Sequence, residues 1–249
     1  MTKQNIDFPA NKYARLGGAL YLILIIAGIF AEFFVRSSLI VPGDAAATAS
    51  QITASEGLFR FGIAADGIMI ISDIALALIF YVLFKPVNTA LALLAAFFRL
   101  IQAATLSVNL LNLFYPLQLL SGADYLGAFG SEQLYAQALI FLQAHGIGYS
   151  IGLIFFGVSL FVLGYLIIKS GYVPKILGIL LIIASIGYLI DSFAKVLLLN
   201  YQSYEALFAV VVFLPAFIAE LALCLWLLFK GVNVQKWQER AGKTASTNT

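Results

Sequence analysis

Residues 58–99 read LFRFGIAADGIMIISDIALALIFYVLFKPVNTALALLAAFFR, an apolar run, the turn Lys85-Pro86-Val87-Asn88, and the start of a second apolar run. A helix that crosses a bilayer needs about 20 predominantly apolar residues, and residues 58–84 and 89–120 both exceed that. Proline in the turn stops the first helix and lets the chain reverse. The stretch therefore reads as two membrane helices joined by a tight turn. It also buries Asp66, Asp73 and Arg99 inside the apolar runs, and a charge in a membrane helix is a functional-site hypothesis by default.

Working outward, four more runs of the same kind occupy residues 16–35, 134–168, 176–199 and 204–229. Of the 249 residues 62% are hydrophobic and 10% charged, against about 45–50% and about 25% in soluble domains. The predicted fold is all-α, a polytopic membrane helix bundle of six transmembrane helices. It forms a single domain over residues 1–230, with a polar, disordered tail at 231–249. The first run follows Lys3, Lys12 and Arg15 as a signal peptide would, but it is too long and five more spans follow. It reads as a retained helix.

Basic residues set the orientation. Lys3, Lys12, Arg15, Lys85, Lys169, Lys175, Lys230, Lys236, Arg240 and Lys243 fall on one side. The opposite loops hold Arg36 and Arg60 among Asp44, Glu56, Asp124, Glu132 and Glu205. By the positive-inside rule both termini are cytoplasmic, and the expected location is the inner (plasma) membrane, with the lipid bilayer as constant partner. On the outer side Asp44 is placed to cap a short helix at 45–55. The third and fourth apolar runs exceed 30 residues and are expected either to project beyond the outer leaflet or to kink, the fourth at His145-Gly146-Ile147-Gly148.

Several function classes drop out. A net charge of +2 without a basic stripe excludes a nucleic-acid partner. The lone cysteine, Cys224, allows no internal disulfide, and one cysteine with one histidine, His145, cannot build a Cys/His zinc site or a bis-histidine haem site. No cofactor, metal site or catalytic residue is expected. Gly148-Tyr149-Ser150-Ile151-Gly152 matches G-x-S-x-G, but that motif needs a strand-to-helix elbow, and this one lies inside a helical run. The same glycines, extended by Gly157 and Gly164, form a small-residue face suited to helix packing and to a homo-oligomer.

The charges fall in layers. Asp73 is 12 residues from Lys85, Arg99 is 11 from Asn88, and Glu220 is 10 from Lys230. At about 1.5 Å per residue they lie about 18, 16 and 15 Å deep, near the middle of a core about 30 Å thick. The expected arrangement is a cluster in which Arg99 bridges the two carboxylates, with surplus negative charge that favours a bound proton. It is either a proton or ion site or a lock that fixes helix register. Asp66, Gln102 and Asn109 extend a polar stripe outward that could line a cavity. Glu32, Asp191, Lys195 and His145 are secondary candidates nearer the outer side, and Asp191 and Lys195 are spaced i,i+4 for a local pair.

The chain also resembles a bacterial multi-pass membrane family known as domain of unknown function 4386. The resemblance rests on Ala31-Glu32-Phe33-Phe34-Val35-Arg36 leading into Pro42-Gly43-Asp44-Ala45, on Lys85-Pro86-Val87-Asn88, and on His145-Gly146-Ile147-Gly148-Tyr149. It continues through Ser170-Gly171-Tyr172-Val173-Pro174 to Gly187-Tyr188-Leu189-Ile190-Asp191-Ser192-Phe193, over residues 12–230. It implies a multi-pass membrane protein and carries no activity with it. The leading functional expectation is binding or translocation of a small solute or ion, coupled to protons. A structural or accessory membrane protein is the alternative, and an intramembrane enzyme the third reading.

Overall fold

The computed structural model describes residues 9–247; Lys3 and the last two residues of the tail lie outside them. Every regular element among the described residues is helical. Six helices among the described residues are long and apolar enough to cross a membrane. They are α1 (Ala10–Leu39), α3 (Glu56–Phe84), α4 (Thr89–Leu119), α5 (Ser131–Ser170), α6 (Lys175–Leu197) and α7 (Glu205–Phe229). A short α2 (Ala45–Ala54) follows α1, and α8 (Val234–Thr247) follows α7.

Local chemistry sets these boundaries. Asp44 caps α2, its side chain accepting from the Ala47 N–H at 2.8 Å. Gly171 and Gly231 turn the chain with φ of +77° and +69°, a region where a Cβ would clash. In α7 the π-helical turn Ala209–Phe213 comes just before Pro215. Proline lacks an N–H and crowds the carbonyl four residues earlier, and a wider turn ahead of it relieves both problems. A second π-helical stretch, Phe30–Arg36, lies within α1.

Residues 131–170 are α-helical without interruption through His145-Gly148, a length of about 60 Å at the α-helical rise, so α5 exceeds a bilayer core as the length of its apolar run implied. One expectation is corrected here. Residues 231–249 are not all a disordered tail, because they contain α8. The sequence lacked a long apolar run there, but Trp237 is buried and its Nε1 donates to the Leu83 carbonyl at 2.9 Å. Tyr172 Oη donates to the same carbonyl at 2.7 Å, and Arg240 reaches the Lys169 carbonyl at 3.0 Å.

The described chain divides into two compact units. Unit 1 takes in Met1–Leu22, Ser72–Gln102 and Leu153–Thr249. Its helices approach closely where side chains are absent: a Cβ on Gly164 would sit 2.7 Å from the Gly178 carbonyl oxygen. Unit 2 takes in Ile23–Ile71 and Ala103–Gly152. Its core gathers Val35, Leu39, Ile52, Phe59, Ile63 and Leu113. Large apolar side chains such as Phe33, Phe61, Ile71 and Leu78 stay exposed, as suits helices solvated by lipid.

Candidate functional site

Unit 1 contains the mid-depth charges. Asp73 on α3, Arg99 on α4 and Glu220 on α7 are 2%, 1% and 7% exposed. Arg99 Nη2 lies 2.5 Å from Asp73 Oδ1. Beyond this ion pair, the Asp73 oxygens and the guanidinium nitrogens are buried with no other polar partner among the described residues. The guanidinium instead sits among aromatic rings, 5.0 Å from the centre of Phe156, 5.5 Å from Phe80 and 5.6 Å from Tyr21. Ring faces carry negative charge density and stabilise a desolvated cation.

Glu220 has different company. Tyr21 Oη donates to its Oε2 at 2.8 Å and Tyr188 Oη donates to its Oε1 at 2.6 Å. Each carboxylate oxygen therefore accepts from a phenol, the arrangement that suits an ionised group. The bridge expected from the sequence is corrected in part: Arg99 pairs with Asp73, and Tyr21 stands between the guanidinium and Glu220. Beside Arg99 lies a small cavity lined by Ala77, Phe80, Ala95, Ala96, Ser159 and Leu163, with room for about one water-sized body. Ser159 Oγ, on its wall, donates to the Ala95 carbonyl at 2.7 Å.

Tyr21 and Tyr188 are the site residues that sequence reading missed. Both follow helix starts by a distance that reaches the charged layer: 11 residues after Ala10 and 13 after Lys175, or about 16 and 20 Å. A tyrosine that deep, away from the interface where tyrosines collect, was the available signal. Gln102, also in unit 1, has Oε1 buried without a hydrogen-bond partner among the described residues.

Asp191 and Lys195 form their local pair at 3.2 Å. Asp191 Oδ1 also accepts from Tyr201 Oη at 2.6 Å, and Lys195 lies over the Tyr201 and Phe213 rings. Burial, the hydrogen bond to Asp191 and that residue's charge push the Tyr201 phenol above its usual ionisation range.

Unit 2 has its own charged group. Arg36, in the π-helical stretch, holds Asp66 through Nη1 at 2.5 Å and Nη2 at 3.3 Å, and Glu32 through Nε at 2.8 Å. Asn109 Nδ2 donates to the His145 carbonyl at 2.9 Å and its Oδ1 accepts from Asn112. Asp66 and Asn109 are thus engaged by neighbours within unit 2, whereas Gln102 belongs to unit 1. His145 is buried with its ring 6.3 Å from that of Tyr149. Ser150 Oγ donates to the Gly146 carbonyl of its own helix at 3.1 Å, where no elbow presents it. Gly157 and Gly164 face Leu189 and Gly178 of the same chain, so these two are covered rather than offered to a partner.

The comparisons agree with the membrane reading. A protein of the archaeon Archaeoglobus fulgidus, described as an uncharacterized protein, is 34% identical over 164 residues, covering 66% of this chain and 80% of its own length. No solved structure matches. The family described as Domain of unknown function (DUF4386) matches residues 16–231, nearly the whole span of the resemblance seen in the sequence. With its six apolar helices and that match, the chain belongs to this multi-pass helical family of unknown function.

Proposed function

We propose that this chain is a proton-coupled membrane protein: it takes a proton on Asp73 and couples that proton's release to movement of a small ion or solute. One observation carries the reading. Five side chains from five helices, Tyr21, Asp73, Arg99, Tyr188 and Glu220, form a buried cluster with one cation and two acids. With both acids ionised the cluster holds a net negative charge in an apolar interior, where such charge is costly. Two phenol donors hold Glu220 as the carboxylate. Asp73, whose ion pair with Arg99 opens when the carboxylate takes up a proton, is the group that exchanges it.

The test is infrared spectroscopy of the reconstituted protein across pH. A protonated-carboxyl C=O band should appear as pH falls, vanish in Asp73→Asn, and persist in Glu220→Gln. No titrating carboxyl band at all, or a band that only Glu220→Gln removes, overturns the assignment. Flux completes it: proteoliposomes given a pH gradient should take up protons, and Asp73→Asn should abolish the uptake.

The proposed location is the plasma membrane with both termini cytoplasmic, supported by the basic residues of the flanks and inner turns. A membrane-impermeant maleimide applied to intact cells should label Ser121→Cys and leave Asn88→Cys unlabelled. Cys224 is fully buried, so the background is silent. The opposite labelling pattern reverses the orientation.

A further inference from the structure

We propose that the basic end of unit 1 is a binding surface for anionic phospholipid, whose phosphate headgroups are held by exposed lysines and arginines at the helix ends. The inference stands apart from the proton site and rests on other residues.

Hydrogen bonds hold these helix ends together. The Val232 N–H, just after α7, donates to Asn11 Oδ1 at the start of α1 at 3.2 Å. The Asn233 N–H donates to the Tyr172 carbonyl, in the turn between α5 and α6, at 3.1 Å. Tyr172 Oη and Trp237 Nε1 both donate to the Leu83 carbonyl, and Arg240 donates to the Lys169 carbonyl. A lysine stands within three positions of each junction: Lys12 beside Asn11, Lys85 after Leu83, Lys175 after Tyr172, Lys230 before Val232 and Lys236 before Trp237. The ends of α1, α3, α6, α7 and α8 thereby bring their cations to one patch.

That charge has no answer within the chain. All five lysines are exposed, and none forms an ion pair among the described residues. Elsewhere the pattern is the reverse, since Arg36, Arg60, Arg99 and Lys195 each pair with an acid. Glu239 is the one acid in these basic segments among the described residues, and its Oε1 is engaged by Gln235. Like charges gathered on one end repel, most strongly within a screening length of about 10 Å. An external anion relieves this.

The lining says which anion. The helices that end here are the membrane spans, so this end lies at the level of the lipid headgroups. Leu16, Ile176 and Phe229 are large apolar side chains left exposed, and each is the direct neighbour of a cation, Arg15, Lys175 and Lys230. Such a pair meets a phosphate and its acyl chains together, whereas inorganic phosphate or an acidic peptide would use the charge alone. Across the same end lies α8, with Trp237 buried and Lys236 exposed, the division of faces that suits a helix lying in the headgroup layer.

The experiment is thermal unfolding of the full chain in neutral detergent, with phosphatidylglycerol or phosphatidylcholine of the same acyl chains titrated in. A lipid that binds the folded chain raises its unfolding temperature. Phosphatidylglycerol should do so at a concentration lower by about tenfold or more, as several cations acting together on an anionic headgroup predict. About 1 M potassium chloride, which shortens the screening length to about 3 Å, should remove most of that preference. Lys12→Gln combined with Lys85→Gln and Lys230→Gln should weaken the phosphatidylglycerol effect by about tenfold or more, and without lipid it should be no less stable than the parent. Arg60→Gln removes a cation that already has its acid, and it should leave the preference intact. Inorganic phosphate should not stabilise the chain.

Equal effects of the two lipids, or a preference that survives in the triple variant, overturn the proposal. Stabilisation by inorganic phosphate equal to that by phosphatidylglycerol overturns the lipid and makes the ligand a soluble anion. The lipid and phosphate comparisons on the unmodified chain decide the question even if the triple variant does not fold.

Discussion

Tyr21 donates a hydrogen bond from its phenol to Glu220 while its ring centre lies 5.6 Å from the Arg99 guanidinium carbon, so one side chain serves an acidic and a basic residue at once. Its two tasks separate by substitution. Tyr21→Phe keeps the ring and removes the donor, leaving Glu220 Oε2 short of a partner, and should cost about 1–3 kcal/mol of stability. Thermal unfolding in detergent reads this, and an unchanged stability would mean that Glu220 does not need the donor. Arg99→Met leaves Asp73 buried without its cation and should cost about 3–5 kcal/mol. The double variant Arg99→Met with Asp73→Asn should recover most of that loss. The acids and the arginine were legible because a charge in an apolar run stands out. The tyrosines were not, since a tyrosine is tolerated in a membrane helix for many reasons and only its depth marks it. Sequence spacing also could not tell whether Arg99 met one acid or two, because depth along each helix says nothing about rotation around it.

Among elements, the spans themselves were the most legible part. Residues 58–84 and 176–199 correspond to Glu56–Phe84 and Lys175–Leu197, because an apolar run bounded by proline and lysine has few other readings. What escaped was α8, whose docking depends on single residues rather than on composition. Trp237 and Tyr172 both donate to the Leu83 carbonyl, near the end of α3 where carbonyls run out of helical donors. Removing either donor leaves the other, so Trp237→Phe and Tyr172→Phe should each cost only about 0.5–1.5 kcal/mol. Together they should cost more than the sum, which a double-variant cycle measures. The contact of α5 with α6 is less forgiving. A Cβ on Gly178 would come 2.8 Å from Ile168 Cγ1 and against the Gly164 carbonyl. Gly178→Ala should therefore destabilise by about 1–3 kcal/mol through overpacking, and a neutral result would show that the two helices can slide apart freely.

At the scale of the whole molecule, the membrane class was read from composition alone, while the division into two units left no trace in the sequence. Each of α1, α3, α4 and α5 gives residues to both units, so no linker or compositional shift marks the boundary. The candidate cluster lies wholly within unit 1, which is why it can be described from α1, α3, α4, α6 and α7 without reference to the rest. The Leu83 carbonyl has one more implication, which concerns time rather than space. Its indole donor is 154 residues further along the chain, and at about 5–20 residues per second the ribosome needs on the order of ten to thirty seconds to reach it. Tyr172 reaches that carbonyl first, 89 residues along the chain, so the Leu83 end of α3 is fastened in two steps during synthesis, and the second waits for Trp237.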